Sequence, residues 1–161
     1  MNNLAYKTYE HLLEKGYRIS AAESCTGGLF AKYITDIPGS ASVLDVSIVT
    51  YANEAKIKFL GVSEENIKSY GVVSEAVAKE MASGVRKLMN ANVGIGITGI
   101  AGPGGGTPEK PVGTVWTAID IDGEIYAEKL SLNGDRETVR EATCNAVFER
   151  LVSLLEKQKK Y

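Results

Sequence analysis

Histidine is nearly absent from this sequence. Among 161 residues there is one, His11. Any mechanism that needs two histidines is therefore excluded. His11 falls in YKTYEHLLEKG, whose spacing predicts an amphipathic helix far from the polar motifs, so a surface or boundary role is expected for it. Cysteine is almost as scarce. Cys25 and Cys144 lack metal-type spacing and are too few for a disulfide framework, which points to a reducing compartment. No cluster of His, Cys and carboxylates has ligand spacing, so neither a metal nor another cofactor is expected. Excess positive charge is missing too. With a net charge of −2 and no basic stripe, the chain has no electrostatic footprint for nucleic acid. The terminal EKQKKY run is expected to end a helix, where cations suit the helix dipole. No apolar run approaches membrane-spanning length and no charged-then-apolar leader opens the chain, so a cytoplasmic protein without membrane contact is expected.

The remaining composition, 44% hydrophobic and 24% charged, is that of an ordinary globular domain. The length suits one domain, able to bury roughly 70% of the surface its unfolded chain exposes. The pattern predicts a helix from Asn3 to Lys15 stopped by Gly16, then a buried strand in YRISAAE and a helix from Gly27 to Thr35. DIPGSAS reads as a loop and VLDVSIVTYA as a strand. Asn53, Ser63 and Ser74 read as N-caps of three successive helices. ANVGIGITG is a glycine-interrupted apolar strand, and AGPGGGTPEKP a loop. Two alternating runs joined by Asp122-Gly123 predict a hairpin. A last helix opens near NGDRETVR, with Val139, Ala142, Ala146, Val147, Leu151, Leu154 and Leu155 as its apolar stripe. Strands interleaved with helices, plus one hairpin, imply a mixed sheet with helices on both faces.

Several motifs carry chemistry. Gly94-x-Gly96-x-x-Gly99 fits the dinucleotide fingerprint only superficially. Its first glycines lie inside the strand and Pro103 follows, where a helix should open, so a dinucleotide site is rejected. What remains is Thr98 at a strand end, entering a loop of approachable backbone N–H groups, and a purely structural loop is the alternative. ESCTGG allows Ser24 or Thr26 to cap a helix, with Gly27 and Gly28 permitting close packing. It also suits a nucleophile held beside an anion-stabilising turn. In TYANEAK, a cap at Asn53 puts Lys56 at the third helical position, against the positive end of the dipole. A solvated lysine is one reading, and an amine with a lowered pKa acting as a base is the other. Arg136 and Arg140 share one face at the start of the last helix, where they are either solvated or set for a phosphate.

Taken together, ESCTGG, TYANEAK, GVVSE, GITGIAGPGGG, KPVGTVW and GDR resemble the CinA C-terminal domain family, in unbroken order from Ala21 to Arg140. The resemblance implies a three-layer α/β/α sandwich with a mixed parallel/antiparallel sheet, usually dimeric. It also implies a nicotinamide-nucleotide amidase that converts nicotinamide mononucleotide to nicotinate mononucleotide and ammonia. No counterpart of the additional N-terminal domain of full-length family members is seen, so a single stand-alone amidase domain over residues 1–161 is expected. On this resemblance Ser24 is the nucleophile and Lys56 the base, with Tyr51 as a proton relay. Thr26, Gly27, Gly28, Ser40, Asn53, Thr98, Gly99, Ala101, Gly102, Arg136 and Arg140 would bind the nucleotide, Arg136 meeting its phosphate. Many members carry Ser where this chain has Ala52. With one histidine and no metal cluster, the hydroxyl must be activated otherwise, which a lysine base does, Tyr51 being the other candidate for the proximal base, and backbone N–H groups from Cys25 to Gly27 would stabilise the oxyanion. The alternative is a non-catalytic regulatory module that binds a nucleotide and needs neither Ser24 nor Lys56.

Overall fold

In the computed structural model, which describes residues 1–158, helices and strands alternate much as the sequence periodicity requires. Helix α1 (Asn3–Lys15) ends on Gly16 in the left-handed region. It is followed by β1 (Ile19–Glu23), α2 (Leu29–Thr35), a 3₁₀ turn at Ser40–Ser42, and β2 (Leu44–Val49). Then come α3 (Asn53–Leu60), α4 (Glu64–Tyr70), α5 (Glu75–Met89), β3 (Val93–Gly99), the hairpin of β4 (Thr114–Ile121) and β5 (Glu124–Ser131), and α6 (Arg136–Lys157). Ser63 and Ser74 cap α4 and α5 as expected, accepting from the N–H groups of Asn66 and Val77. Asp122 and Gly123 both take positive φ, the geometry of the two-residue hairpin turn. Part of EKQKKY, residues 159–161, lies outside the described residues.

The sheet order is β2-β1-β3-β4-β5. β1 is parallel to both β2 and β3, while β4 runs antiparallel to β3 and β5. Side chains alternate across this sheet and so divide the core in two. Ile19, Ala21, Val93, Ile95 and Ile97 pack toward α1, α2 and α6, where Phe30 and Phe148 stack at 4.5 Å between centroids. Ala22 points to the other face, against Leu60, Val77, Met81 and Val85 of α3 and α5. Gly94 and Gly96 lie on this second face. A Cβ at Gly94 would stand 2.1 Å from Ala82 O, and one at Gly96 would stand 2.3 Å from Ala78 O. Their glycines serve the close approach of α5 to β3, which is the physical reason the fingerprint is no dinucleotide site. The result is a three-layer α/β/α arrangement.

The chain leaves β1 for β2 on one side and returns through α3, α4 and α5 to β3 on the other side of β1. Such a reversal leaves a crevice beyond the carboxyl ends of the parallel strands. Ser24, Thr50 and Thr98 all fall there.

Some expectations for the elements are not met: α2 begins at Leu29, two residues after Gly27. β2 stops at Val49, so Tyr51 belongs to the following loop. α3 begins at Asn53 with Ala52 as its cap residue, so Asn53 caps nothing and Lys56 is the fourth helical residue, not the third. α6 also buries Thr143, Cys144 and Phe148, because it is covered by α1 and α2 as well as the sheet. His11 lies far from the crevice, 3.4 Å from Glu156 on α6.

Candidate active site

The crevice is a cleft of about 440 Å³. Its floor is Ser24, Cys25 and Lys56; one wall is Gly71, Val72 and Val73, and the other is Thr98 with the loop that follows. Ser24 sits in a turn closed by a hydrogen bond from Gly27 N–H to Ser24 O at 3.0 Å. Gly27 and Gly28 both take positive φ, which turns the chain sharply from β1 into α2. Neither Ser24 nor Thr26 caps α2. The fully buried carboxylate of Glu23 does so instead, accepting from the N–H groups of Phe30 at 2.9 Å and Ala31 at 3.2 Å. It also accepts from the hydroxyls of Thr26 and Ser47, each at 2.8 Å.

Lys56 is 1% exposed. Its Nζ reaches Thr50 O at 2.6 Å, Ser24 Oγ at 3.2 Å and, more distantly, Tyr51 O at 3.5 Å. Burial holds its pKa below the ordinary lysine value, offset in part by the nearby Cys25. Depth is thus the main cause of the shift. A neutral amine there can donate to the two carbonyls and turn its lone pair to the Ser24 O–H. Cys25 also reaches the cleft, but burial pushes its thiol up to about 11, so it remains protonated at neutral pH and is a poor nucleophile.

Arg136, the first residue of α6, donates to Gly102 O at 2.8 Å and to Tyr51 Oη at 2.9 Å across the mouth of the cleft. Tyr51 is 59% exposed, and its hydroxyl is held by Arg136 rather than by Ser24 or Lys56. Its carbonyl, not its hydroxyl, reaches Lys56, which does not fit the expectation of a direct relay. Thr98 is buried, with its hydroxyl donating to Val72 O at 2.9 Å, so it ties the two walls together. Asn53, Gly99, Ala101 and Gly102 line the cleft with it.

Lys110 was not legible as a site residue. The loop after β3 carries it back over Gly71, where its Nζ donates to Tyr70 O at 2.6 Å. KPVGTVW was the available signal, but nothing in its spacing says that the loop folds back. Besides Lys56, the lining residues then include two cations at the rim, Lys110 and Arg136, and no carboxylate. In a chain of net charge −2 that pairing makes the rim locally positive.

Five expected binding residues lie elsewhere. Ser40 opens the 3₁₀ turn that feeds the start of β2, beside the beginning of β1, at the opposite end of the sheet. Thr26 is fully buried on Glu23. Gly27 faces Arg140 and Gly28 faces Val49, because the turn rolls both glycines away from the cleft. Arg140 donates to Thr26 O at 2.8 Å and so braces the turn from α6. Among the described residues, no group of three His, Cys, Asp or Glu could hold a metal ion, and no helix is long and apolar enough to cross a membrane.

Residues 1–155 match the CinA C-terminal domain. A CinA-like protein of Gemmatimonas aurantiaca is 49% identical over 133 residues, which is 83% of this chain and 31% of that protein. The chain spans about a third of the length of the curated relatives it matches. Among solved structures, a competence-damaged protein (CinA) superfamily protein from Klebsiella pneumoniae superposes with a TM-score of 0.94 at 34% identity, covering 98% of this chain and all of that one. The competence/damage inducible protein CihA from Agrobacterium tumefaciens gives a TM-score of 0.92 at 40% identity, covering 96% of this chain and 94% of that one.

Proposed function

We propose, from the premise that this chain belongs to the CinA C-terminal domain family, that it hydrolyses the carboxamide of nicotinamide mononucleotide to nicotinate mononucleotide and ammonia. The observation that carries this reading is the buried Lys56 amine 3.2 Å from Ser24 Oγ at the floor of a carboxylate-free cleft. Lys56 takes the Ser24 proton as the oxygen attacks the amide carbon. Gly27 N–H is already bound to Ser24 O and Thr26 is turned away from the cleft, so the Cys25 amide is the donor this turn offers the oxyanion. Collapse of the tetrahedral intermediate returns the proton from Lys56 to the leaving nitrogen, releasing ammonia and an acyl-Ser24 ester. Water, deprotonated by Lys56, then attacks the ester carbonyl, the acyl–Oγ bond breaks, and Lys56 returns the proton to Ser24 as the acid leaves. Arg136 and Lys110 at the rim suit the phosphate.

The test is ammonia release from nicotinamide mononucleotide by purified wild type and Ser24→Ala. Wild type is expected to turn over, and Ser24→Ala to bind the nucleotide without releasing ammonia. A wild type that binds the nucleotide but never releases ammonia would favour a regulatory binding module instead. A Ser24→Ala protein with a substantial fraction of wild-type rate would place the nucleophile elsewhere.

A further inference from the structure

Glu23 is a fully buried carboxylate that none of the chemical steps above uses. A buried charge of this kind is costly unless every lone pair finds a donor. Here each oxygen has two. Oε1 accepts from Thr26 Oγ1 and Phe30 N–H, and Oε2 accepts from Ala31 N–H and Ser47 Oγ. These donors come from the Ser24 turn, the first turn of α2, and β2. The cap residue of α2 is Gly28, which has no side chain to do this work. The helix is therefore capped from across the turn, by the residue directly before Ser24. From the far side, Arg140 pins the carbonyl of Thr26.

We propose that Glu23 is a positioning residue: by binding the Ser24 turn, α2 and β2 to the end of β1, it holds Ser24 Oγ against Lys56 Nζ. The proposal rests on the Ser24–Lys56 reading above. Thr50 follows β2 directly, donates its N–H to Glu23 O at 2.9 Å and offers its carbonyl to Lys56, so Glu23 references both Ser24 and Lys56 to the same strands. Glu23→Gln keeps the size of the side chain but sets an amide N–H₂ in place of one oxygen, against a donor. Thr26→Val keeps shape and removes a single hydroxyl that never faces the cleft.

Both variants are to be compared with wild type in three measurements. These are kcat and KM for nicotinamide mononucleotide, the rate at which an alkyl fluorophosphonate labels Ser24, read by intact mass, and thermal unfolding. With Glu23→Gln folded at the assay temperature, kcat should fall on the order of 10- to 100-fold at unchanged KM, as expected for a nucleophile misplaced by a fraction of an ångström to an ångström. Labelling should slow in parallel, and Thr26→Val should show a smaller loss of the same kind. Unchanged kcat and labelling in folded variants, or losses explained by the unfolded fraction alone, would overturn the proposal. If Glu23→Gln does not fold, Thr26→Val decides. A wild type that labels at Ser24 but leaves the nucleotide intact overturns the substrate assignment only, and the labelling ratios still judge Glu23. A wild type that does neither overturns both.

Discussion

A lysine in water keeps its proton far above neutral pH, and the dyad depends on how that changes when Nζ is enclosed beneath Ser24. Because burial lowers the Lys56 pKa, the neutral amine is populated at lower pH than an ordinary lysine would allow. The rate at low substrate should rise with pH along an acid limb that lies below the ordinary lysine value of 10.5. Lys56→Arg keeps the charge but not the ability to lose it, so it should be as inactive as Lys56→Ala while both still bind the nucleotide. A Lys56→Arg protein with wild-type turnover would sink the base assignment. At the rim, Arg136→Ala should raise the KM for the mononucleotide about tenfold, roughly 1.4 kcal/mol, and leave the riboside unaffected. Lys110→Met should act in the same direction. Equal penalties on both ligands would show that neither cation reads the phosphate. Ser24 and Lys56 were legible because their motifs put unusual groups at element boundaries. Glu23 and Lys110 were not, since one bonds across a turn to residues seven and eight further on and the other depends on a long loop doubling back.

Among the elements, capping and turn chemistry were read most directly. Ser63, Ser74, Gly16 and Asp122-Gly123 act where their local preferences place them. Expectations failed where tertiary contacts override local ones. Asn53 gives the cap position to Ala52, α2 starts two residues late because Glu23 caps it from outside, and Ser40 shares a loop with no part of the cleft. The glycines of β3 had a packing meaning that spacing alone could not distinguish from a ligand-binding one. Gly96→Ala tests it. The added Cβ would stand 2.3 Å from Ala78 O and 2.7 Å from Ala82 N, both helix backbone, so α5 must move away from the sheet. A cost of about 1–3 kcal/mol is expected, which at about 2–4 °C per kcal/mol is visible in a thermal melt. Thr98 lies two residues further along β3, and Val72 and Val73 lead into α5, so activity should fall together with stability. A melting temperature equal to wild type would mean that the helix yields freely, against the close-packed interface described here.

For the molecule as a whole, the same burial that prepares Lys56 for chemistry should cost folding free energy. In the unfolded chain this amine titrates near 10.5, and in the folded one it titrates lower because it is desolvated. Below both values, folding must enclose a protonated amine. Between them the unfolded chain binds the extra proton, and above both the difference vanishes. Stability carried by this group therefore rises with pH through the window between the folded and unfolded values, and the penalty is present at neutral pH. Lys56→Met, which fills similar space without a charge, removes the penalty but leaves Thr50 O without its 2.6 Å donor. The first effect depends on pH and the second does not. Urea unfolding of both proteins at several pH values separates them: the stability of Lys56→Met relative to wild type should be greatest below the folded value and should shrink as pH climbs toward 10.5. A difference that stays constant across that range would mean that Lys56 titrates alike in the folded and unfolded chain. The lowered pKa on which the dyad depends would then be absent.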